Sequence, residues 1–170
     1  KLNPKGIILI DNNEFALYKI REKLIGQIEK KIILKTYLAD ACNFKFLLKT
    51  FKENKLDIIF HAAAYKHVPL VELNPVQALY NNVFSTYHIC KAAYLNSIPK
   101  TILISSDKAV RPTNVMGASK RLSELIIQGF AERSNITIFS MVRFGNVIGS
   151  SGSVVPLFRN QILDGGPITI

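Results

Sequence analysis

Short aliphatic runs alternate along this chain with stretches in which apolar residues recur at helical spacing. Ile7-Ile8-Leu9-Ile10 sits inside a strand predicted from Lys5 to Ile10, which stops at Asp11. Leu17, Ile20, Leu24 and Ile28 then mark one side of a helix over Phe15 to Ile28. A second strand runs from Ile32 to Leu38 and ends at Asp40; Asn43 caps a helix reaching about Lys52. Asp57 to Ala62 is the third strand. Pro75 opens a long helix to about Asn96, with Val76, Leu79, Val83, Phe84, Tyr87 and Cys90 along one side. Thr101 to Ser105 is the fourth strand, Gly117 to about Arg133 a helix carrying Leu122, Leu125, Ile126 and Phe130, Ile136 to Arg143 the fifth strand, and Val154 to Leu163 the start of another helix. Strands rich in Ile, Leu and Val that alternate with helices predict an α/β fold, a parallel sheet covered on both faces.

Composition narrows the class. The 170 residues make about one domain, and 48% hydrophobic against 20% charged residues excludes a disordered chain, a collagen and a coiled coil. The apolar runs are too short to span a bilayer, and Lys1 to Gly6 does not read as a signal peptide. Cys42 and Cys90 lie far apart and read as reduced core thiols of a cytoplasmic protein. The net charge of +10 favours anionic partners, but the lysines are scattered, so nucleic acid is not expected as one.

In parallel sheets the chemistry gathers at the carboxyl ends of strands, and here those ends hold the polar residues that stand out. Asp11 suits the two hydroxyls of an adenosine ribose, or a helix cap; Asp40 suits an adenine amine, or a plain turn. Ala62-Ala63-Ala64 lets a flat ligand approach the backbone, or allows tight helix–sheet packing. Lys66 could hold a phosphate and His67 a sugar, whereas His61 reads as a buried structural histidine. Ser105-Ser106-Asp107-Lys108 is the densest group: a hydroxyl, a carboxylate and an amine leave one strand together, the parts of an acid–base site. Met116-Gly117-Ala118-Ser119-Lys120 opens the next helix, and Lys120 lies one turn in, where its charge can bind a ribose or lower a neighbouring hydroxyl's pKa. Beyond the glycine- and serine-rich Gly145 to Ser153 lies Arg159, placed to clamp a diphosphate or to sit on the surface. No metal ligand set is read.

This order of features resembles the extended short-chain dehydrogenase/reductases, which have a Rossmann-like, doubly wound parallel sheet. The stretches HAAAYKHVPLVELNP, SSDKAVRPTNVMGASKR and RFGNVIGSSGSVVPLFRNQI are similar, within that superfamily, to the CapD-like nucleoside-diphosphate-sugar 4,6-dehydratases of polysaccharide biosynthesis. The resemblance implies bound NAD and a UDP-N-acetylhexosamine substrate, usually UDP-N-acetylglucosamine. C4 of the sugar is oxidised, water is lost across C5 and C6, and hydride returns to C6. It implies that Ser106 binds the C4 oxygen, Asp107 protonates the departing C6 hydroxyl, and Lys108, buried beside the Lys120 cation, takes the C5 proton. It further implies that Lys120 binds the nicotinamide ribose, that Asp11, Asp40 and Ala62, Ala63 and Ala64 contact the cofactor, and that Lys66, Met116, Asn146 and Arg159 face the UDP-sugar.

The chain departs from the family pattern twice. The superfamily's Tyr-x-x-x-Lys has Met116 in place of tyrosine, so another group must take the C4 hydroxyl proton: Asp107 or Lys108, with Ser106 as relay. The glycine-rich turn and the first strand of the fold are not found, so the strands ending at Asp11 and His61 are not expected to pair directly. The chain therefore reads as an internal piece of a longer protein. Residues 1–150 are expected to form a partial NAD-binding domain and 151–170 the start of the sugar-nucleotide region, and the piece alone is expected to bind NAD poorly. The two long helices are expected to pair between subunits of a homo-oligomer. A cytoplasmic location is expected, at the inner membrane face if membrane helices precede this region. A UDP-sugar 4-epimerase and a non-catalytic nucleotide-binding module are the competing readings.

Overall fold

The computed structural model describes residues 2–145, 147 and 154–168. The elements run in the order β1 (Gly6–Asp11), α1 (Glu14–Ile25), β2 (Ile33–Leu38), α2 (Phe44–Asn54), β3 (Ile58–His61), α3 (Val68–Leu73) and α4 (Pro75–Leu79). A π-helical turn (Tyr80–Phe84), α5 (Ser85–Leu95), β4 (Lys100–Ser106), a 3₁₀ turn (Asp107–Ala109), α6 (Val115–Arg133), β5 (Ile138–Phe144) and α7 (Val154–Leu163) follow. The capping chemistry explains several starts. Asn13, Asn43 and Asn114 each accept a hydrogen bond from a backbone N–H of the first helical turn. The expected Rossmann-like α/β order of elements is thus present, with α3 as an addition that the hydrophobic pattern did not suggest.

All strand pairs among the described residues are parallel. β1 pairs with β2, and β3, β4 and β5 form a second sheet in that order. The strands ending at Asp11 and His61 do not pair with each other, as expected. The main core lies on one face of β3–β5. Leu47 and Phe51 of α2, Ile89, Cys90 and Ala93 of α5, and Ile127 of α6 meet Leu103 and Phe139 of the sheet there.

One expectation about packing is corrected. The sheet is not covered equally on both faces: β4 alternates between fully buried Thr101, Leu103 and Ser105 and half-buried Ile102, Ile104 and Ser106, and Phe60 is exposed. The apolar residues that the sequence sets along one side of the two long helices are divided between surface and interior. Val76, Phe84, Tyr87, Leu122 and Leu125 are exposed, whereas the buried side of α5 and α6 is made of Ser85, Thr86, Ala92, Ala93, Ser119, Ser123 and a few larger residues. Small side chains let the two helices and the sheet approach closely, and the π turn resets which residues face inward before α5 begins. Cys42 and Cys90 are buried free thiols. Burial and the Asp40 carboxylate push Cys42 up to about 11, and burial pushes Cys90 up to about 12, so both stay as thiols.

Candidate active site

The carboxyl end of β4 is held by the first turns of α6. Asn114 Oδ1 accepts from the Gly117 N–H at 2.8 Å, and Glu72 of α3 accepts from the Val115 N–H at 2.6 Å, so two side chains satisfy the exposed donors of the helix start. Gly117 has to be glycine for a contact reason: a Cβ there would run into the carbonyl of Lys108. The start of α6 therefore sits directly against the Asp107–Ala109 turn.

That turn carries the densest polar group expected from the sequence, and its members do meet. Ser106 Oγ donates to Asp107 Oδ1 at 2.9 Å and accepts from the Lys108 N–H at 3.2 Å; Lys108 Nζ lies 3.4 Å from the same Asp107 oxygen. The Ser106 hydrogen bond, with the Lys108 cation, holds the Asp107 carboxyl below its ordinary range, so it is a carboxylate at neutral pH. A Cβ on Gly145, just past β5, would lie 3.7 Å from Asp107 Oδ2. Lys108 is not buried as expected: its side chain is 42% exposed.

Lys120 is only 8% exposed, and its Nζ donates to the Ile104 carbonyl at 3.0 Å, two residues before Ser106. Burial lowers Lys120 to about 8, against the opposing pull of the Glu124 carboxylate. His61, at the end of β3, is buried with Nε2 2.9 Å from Thr86 Oγ1; burial, with the Lys120 cation, depresses it to about 3 and keeps it neutral. Its expected structural role holds.

The other expected site residues are placed as follows. Asp11 and Asp40 are exposed at the ends of β1 and β2, where Asp11 Oδ1 accepts from the Asn13 N–H at 2.8 Å and Asp40 Oδ1 from the Cys42 N–H at 2.7 Å. Asn13, not Asp11, caps α1. Ala62 and Ala63 are exposed and Ala64 half-buried directly after β3; Lys66 and His67 are exposed on the following loop. Met116 is 4% exposed and packs with Val71 and Ala78 beneath α3, so its sulfur serves a small apolar cluster. Arg159 is exposed on α7, and Asn146 lies outside the described residues. Among the described residues no three His, Cys, Asp or Glu gather to hold a metal ion.

Two residues of the site were not singled out from the sequence. Asn82, in the π turn, is buried; its Oδ1 accepts from the Tyr65 N–H and its Nδ2 donates to the Tyr65 carbonyl and to Ser119 Oγ. Glu124, fully buried on α6, gathers Ser105, Arg121 and Arg143. The signal for Glu124 was its place four residues after Lys120, one turn along the same helix face. For Asn82 no local signal existed, because only the fold brings Tyr65 to it.

Known proteins agree with this architecture. The chain is 44% identical over its whole length to the capsular polysaccharide biosynthesis protein CapD of Staphylococcus aureus, covering 28% of that protein. It is 38% identical over 98% of its length to a UDP-glucose 4-epimerase of Rickettsia bellii, covering 50% of it. Among solved structures, Pen from Bacillus thuringiensis matches 98% of the chain at 35% identity with a TM-score of 0.88, over 51% of its own length. DesIV, the dTDP-glucose 4,6-dehydratase of Streptomyces venezuelae solved with NAD and DAU bound, shares the fold at 18% identity and a TM-score of 0.84, with 98% of this chain and 55% of its own covered. The chain thus spans between about a quarter and a half of the length of these relatives. No helix among the described residues is long and apolar enough to cross a membrane. All of residues 1–170 match one family, and the chain belongs to the polysaccharide biosynthesis proteins.

Proposed function

We propose that this chain carries the acid–base core of an NAD-dependent enzyme that converts a UDP-N-acetylhexosamine, UDP-N-acetylglucosamine foremost, to its 4-keto-6-deoxy product for polysaccharide synthesis. The observation that carries the reading is the Ser106–Asp107–Lys108 group, with a hydroxyl 2.9 Å and an amine 3.4 Å from one carboxylate oxygen. Exposed carboxylates at Asp11 and Asp40, and the small Ala62, Ala63 and Ala64, lie at or just after the carboxyl ends of β1, β2 and β3 and suit the adenosine half of NAD. Lys120 suits the nicotinamide ribose. DesIV, similar in fold, was solved with NAD.

Bound NAD supplies the hydride acceptor for C4 and the hydride donor for C6. The protein moves the protons. Ser106 Oγ takes the C4 hydroxyl proton and passes its own to Asp107 Oδ1, along the hydrogen bond already in place. This relay replaces the tyrosine that Met116 cannot imitate. Asp107, ionised until then, now holds a proton and gives it to the departing C6 hydroxyl. Lys108, as the neutral amine, removes the C5 proton, which the C4 ketone has made acidic, and returns it to C5 as hydride reaches C6. Lys66, Arg159 and Asn146 are assigned to the UDP-sugar, with Met116 behind them.

A C4 epimerase is the second reading, supported by the Rickettsia relatives that carry that name. It needs C4 redox alone and leaves Lys108 without a task. The full-length enzyme incubated with UDP-N-acetylglucosamine separates the two by NMR of the products. A 4-keto-6-deoxy sugar that disappears in Lys108→Ala supports the dehydratase, and a C4 epimer alone supports the rival. A UDP-sugar left unchanged by the wild type points to a non-catalytic nucleotide-binding module. Homo-oligomerisation through α5 and α6 belongs to the same reading.

A further inference from the structure

β4 and β5 end in register, with Ser105 opposite Arg143 and Ser106 opposite Phe144. Beneath the Ser105–Arg143 pair lies a single carboxylate. Glu124 Oε1 accepts from Ser105 Oγ at 2.7 Å and from Arg143 Nε at 2.8 Å; Oε2 accepts from Arg143 Nη2 at 2.7 Å and from Arg121 Nη1 at 3.0 Å. Its side chain is wholly buried, whereas Arg121 and Arg143 reach solvent. One buried anion thus grips both residues of the last ladder pair but one, and Arg143 meets it with the planar two-pronged geometry that fixes direction as well as distance.

The neighbour one turn back on α6, Lys120, fastens to the Ile104 carbonyl. Successive residues of β4, Ile104 and Ser105, are therefore tied to the same helix by a cation and an anion, and Ser106 is the next residue. The groups facing this cluster are Ser105 from β4, Arg143 from β5, Lys120 and Arg121 from α6, and His61 from β3 on the far side of Lys120.

We propose that Glu124 is a positioning residue for the reaction proposed above, on which the role rests: by gripping Ser105 and Arg143 it sets the height of Ser106, Asp107 and Lys108 against the sugar. It touches neither substrate nor cofactor. It acts through the Ser105–Arg143 pair, and Lys120 feels its charge. A misplacement of about 1 Å at a reacting group costs up to about a hundred-fold in rate, which is the leverage such a clamp has.

The test uses the full-length enzyme and separates geometry from charge. Glu124→Gln keeps the shape and removes the charge. The expected result is a drop of about ten-fold or more in single-turnover reduction of bound NAD, with KM changed much less, and a Lys120 Nζ titration that moves to lower pH. That titration is read by NMR of ¹⁵N-lysine-labelled protein without substrate. Arg143→Lys keeps the charge but breaks the two-pronged grip; it should lower the same rate and leave the Lys120 titration in place. It also serves if Glu124→Gln does not fold. A folded Glu124→Gln with the wild-type rate overturns the proposal, as does Arg143→Lys with the wild-type rate. NAD reduction at C4 is common to dehydratase and epimerase, so loss of the dehydratase reading leaves this test intact. If the wild type reduces no NAD at all, the enzymatic reading fails by itself, and the substrate-free titration still decides whether Glu124 governs Lys120.

Discussion

Asn82 brackets Tyr65: its Oδ1 accepts from the Tyr65 N–H at 2.7 Å while its Nδ2 donates to the Tyr65 carbonyl at 3.0 Å. One buried amide thus copies the pattern of a neighbouring strand and holds the loop after β3 in place. The same Nδ2 also reaches Ser119 Oγ at 2.9 Å, so the loop carrying Ala62–Lys66 is tied to the helix that carries Lys120.

Asn82→Ala removes the partner of both Tyr65 backbone groups and leaves Ser119 Oγ, which is buried, without its Asn82 donor. A loss of about 3 kcal/mol in unfolding free energy is expected, with weaker NAD binding. Denaturant titration and calorimetry check both; a variant as stable as the wild type would show that the bracket carries little.

Gly117→Ala places a methyl group against the Lys108 carbonyl. The Asp107–Ala109 turn must shift or α6 must tilt. About 1–3 kcal/mol of stability should be lost, and turnover should fall about ten-fold or more because the acid–base group moves. Circular dichroism with steady-state kinetics on the full-length enzyme reads the two effects separately, and wild-type kinetics would refute the tight approach.

Acid should destabilise the fold in two overlapping steps. His61 is held neutral to about 3, so below its ordinary value of 6.5 the unfolded chain gains a proton that the folded chain refuses. Glu124 is held at about 2, chiefly by its hydrogen bonds from Arg143; its contribution is complete above 4.5 and is lost as the pH falls toward 2. Both make stability rise with pH across the acid range. Thermal unfolding between about pH 7 and pH 4 should show a falling Tm, and a flat Tm over that window would contradict the buried, neutral His61.

Leu122 and Leu125 are 43% and 47% exposed on α6, and Tyr87 of α5 meets Phe130 of α6 with ring centroids 6.0 Å apart. If this face pairs between subunits, Leu125→Glu should turn the full-length oligomer into monomer with its fold intact. Sedimentation velocity checks this, and an unchanged sedimentation coefficient places the interface elsewhere.

The local alternation of aliphatic runs and helical stretches was enough to give the strands, most of the helices and the polar strand ends. Strand and helix periods are properties of consecutive residues, and parallel topology puts the strand ends on one edge. Ser106, Asp107 and Lys108 were legible for the same reason, since three neighbours in sequence at a strand end must meet. What lay beyond the sequence depended on pairs far apart in it. The inward faces of α5 and α6 are chosen by how closely small residues let helices approach, which bulk and spacing alone do not reveal. Glu124 meets Ser105 and Arg143 across 19 positions on either side, and Asn82 meets Tyr65 across 17. A polar side chain is affordable in a core only when distant partners satisfy it. The tertiary structure alone decides which partners arrive, and with them that Glu124 is buried among partners while Asp107 stays exposed.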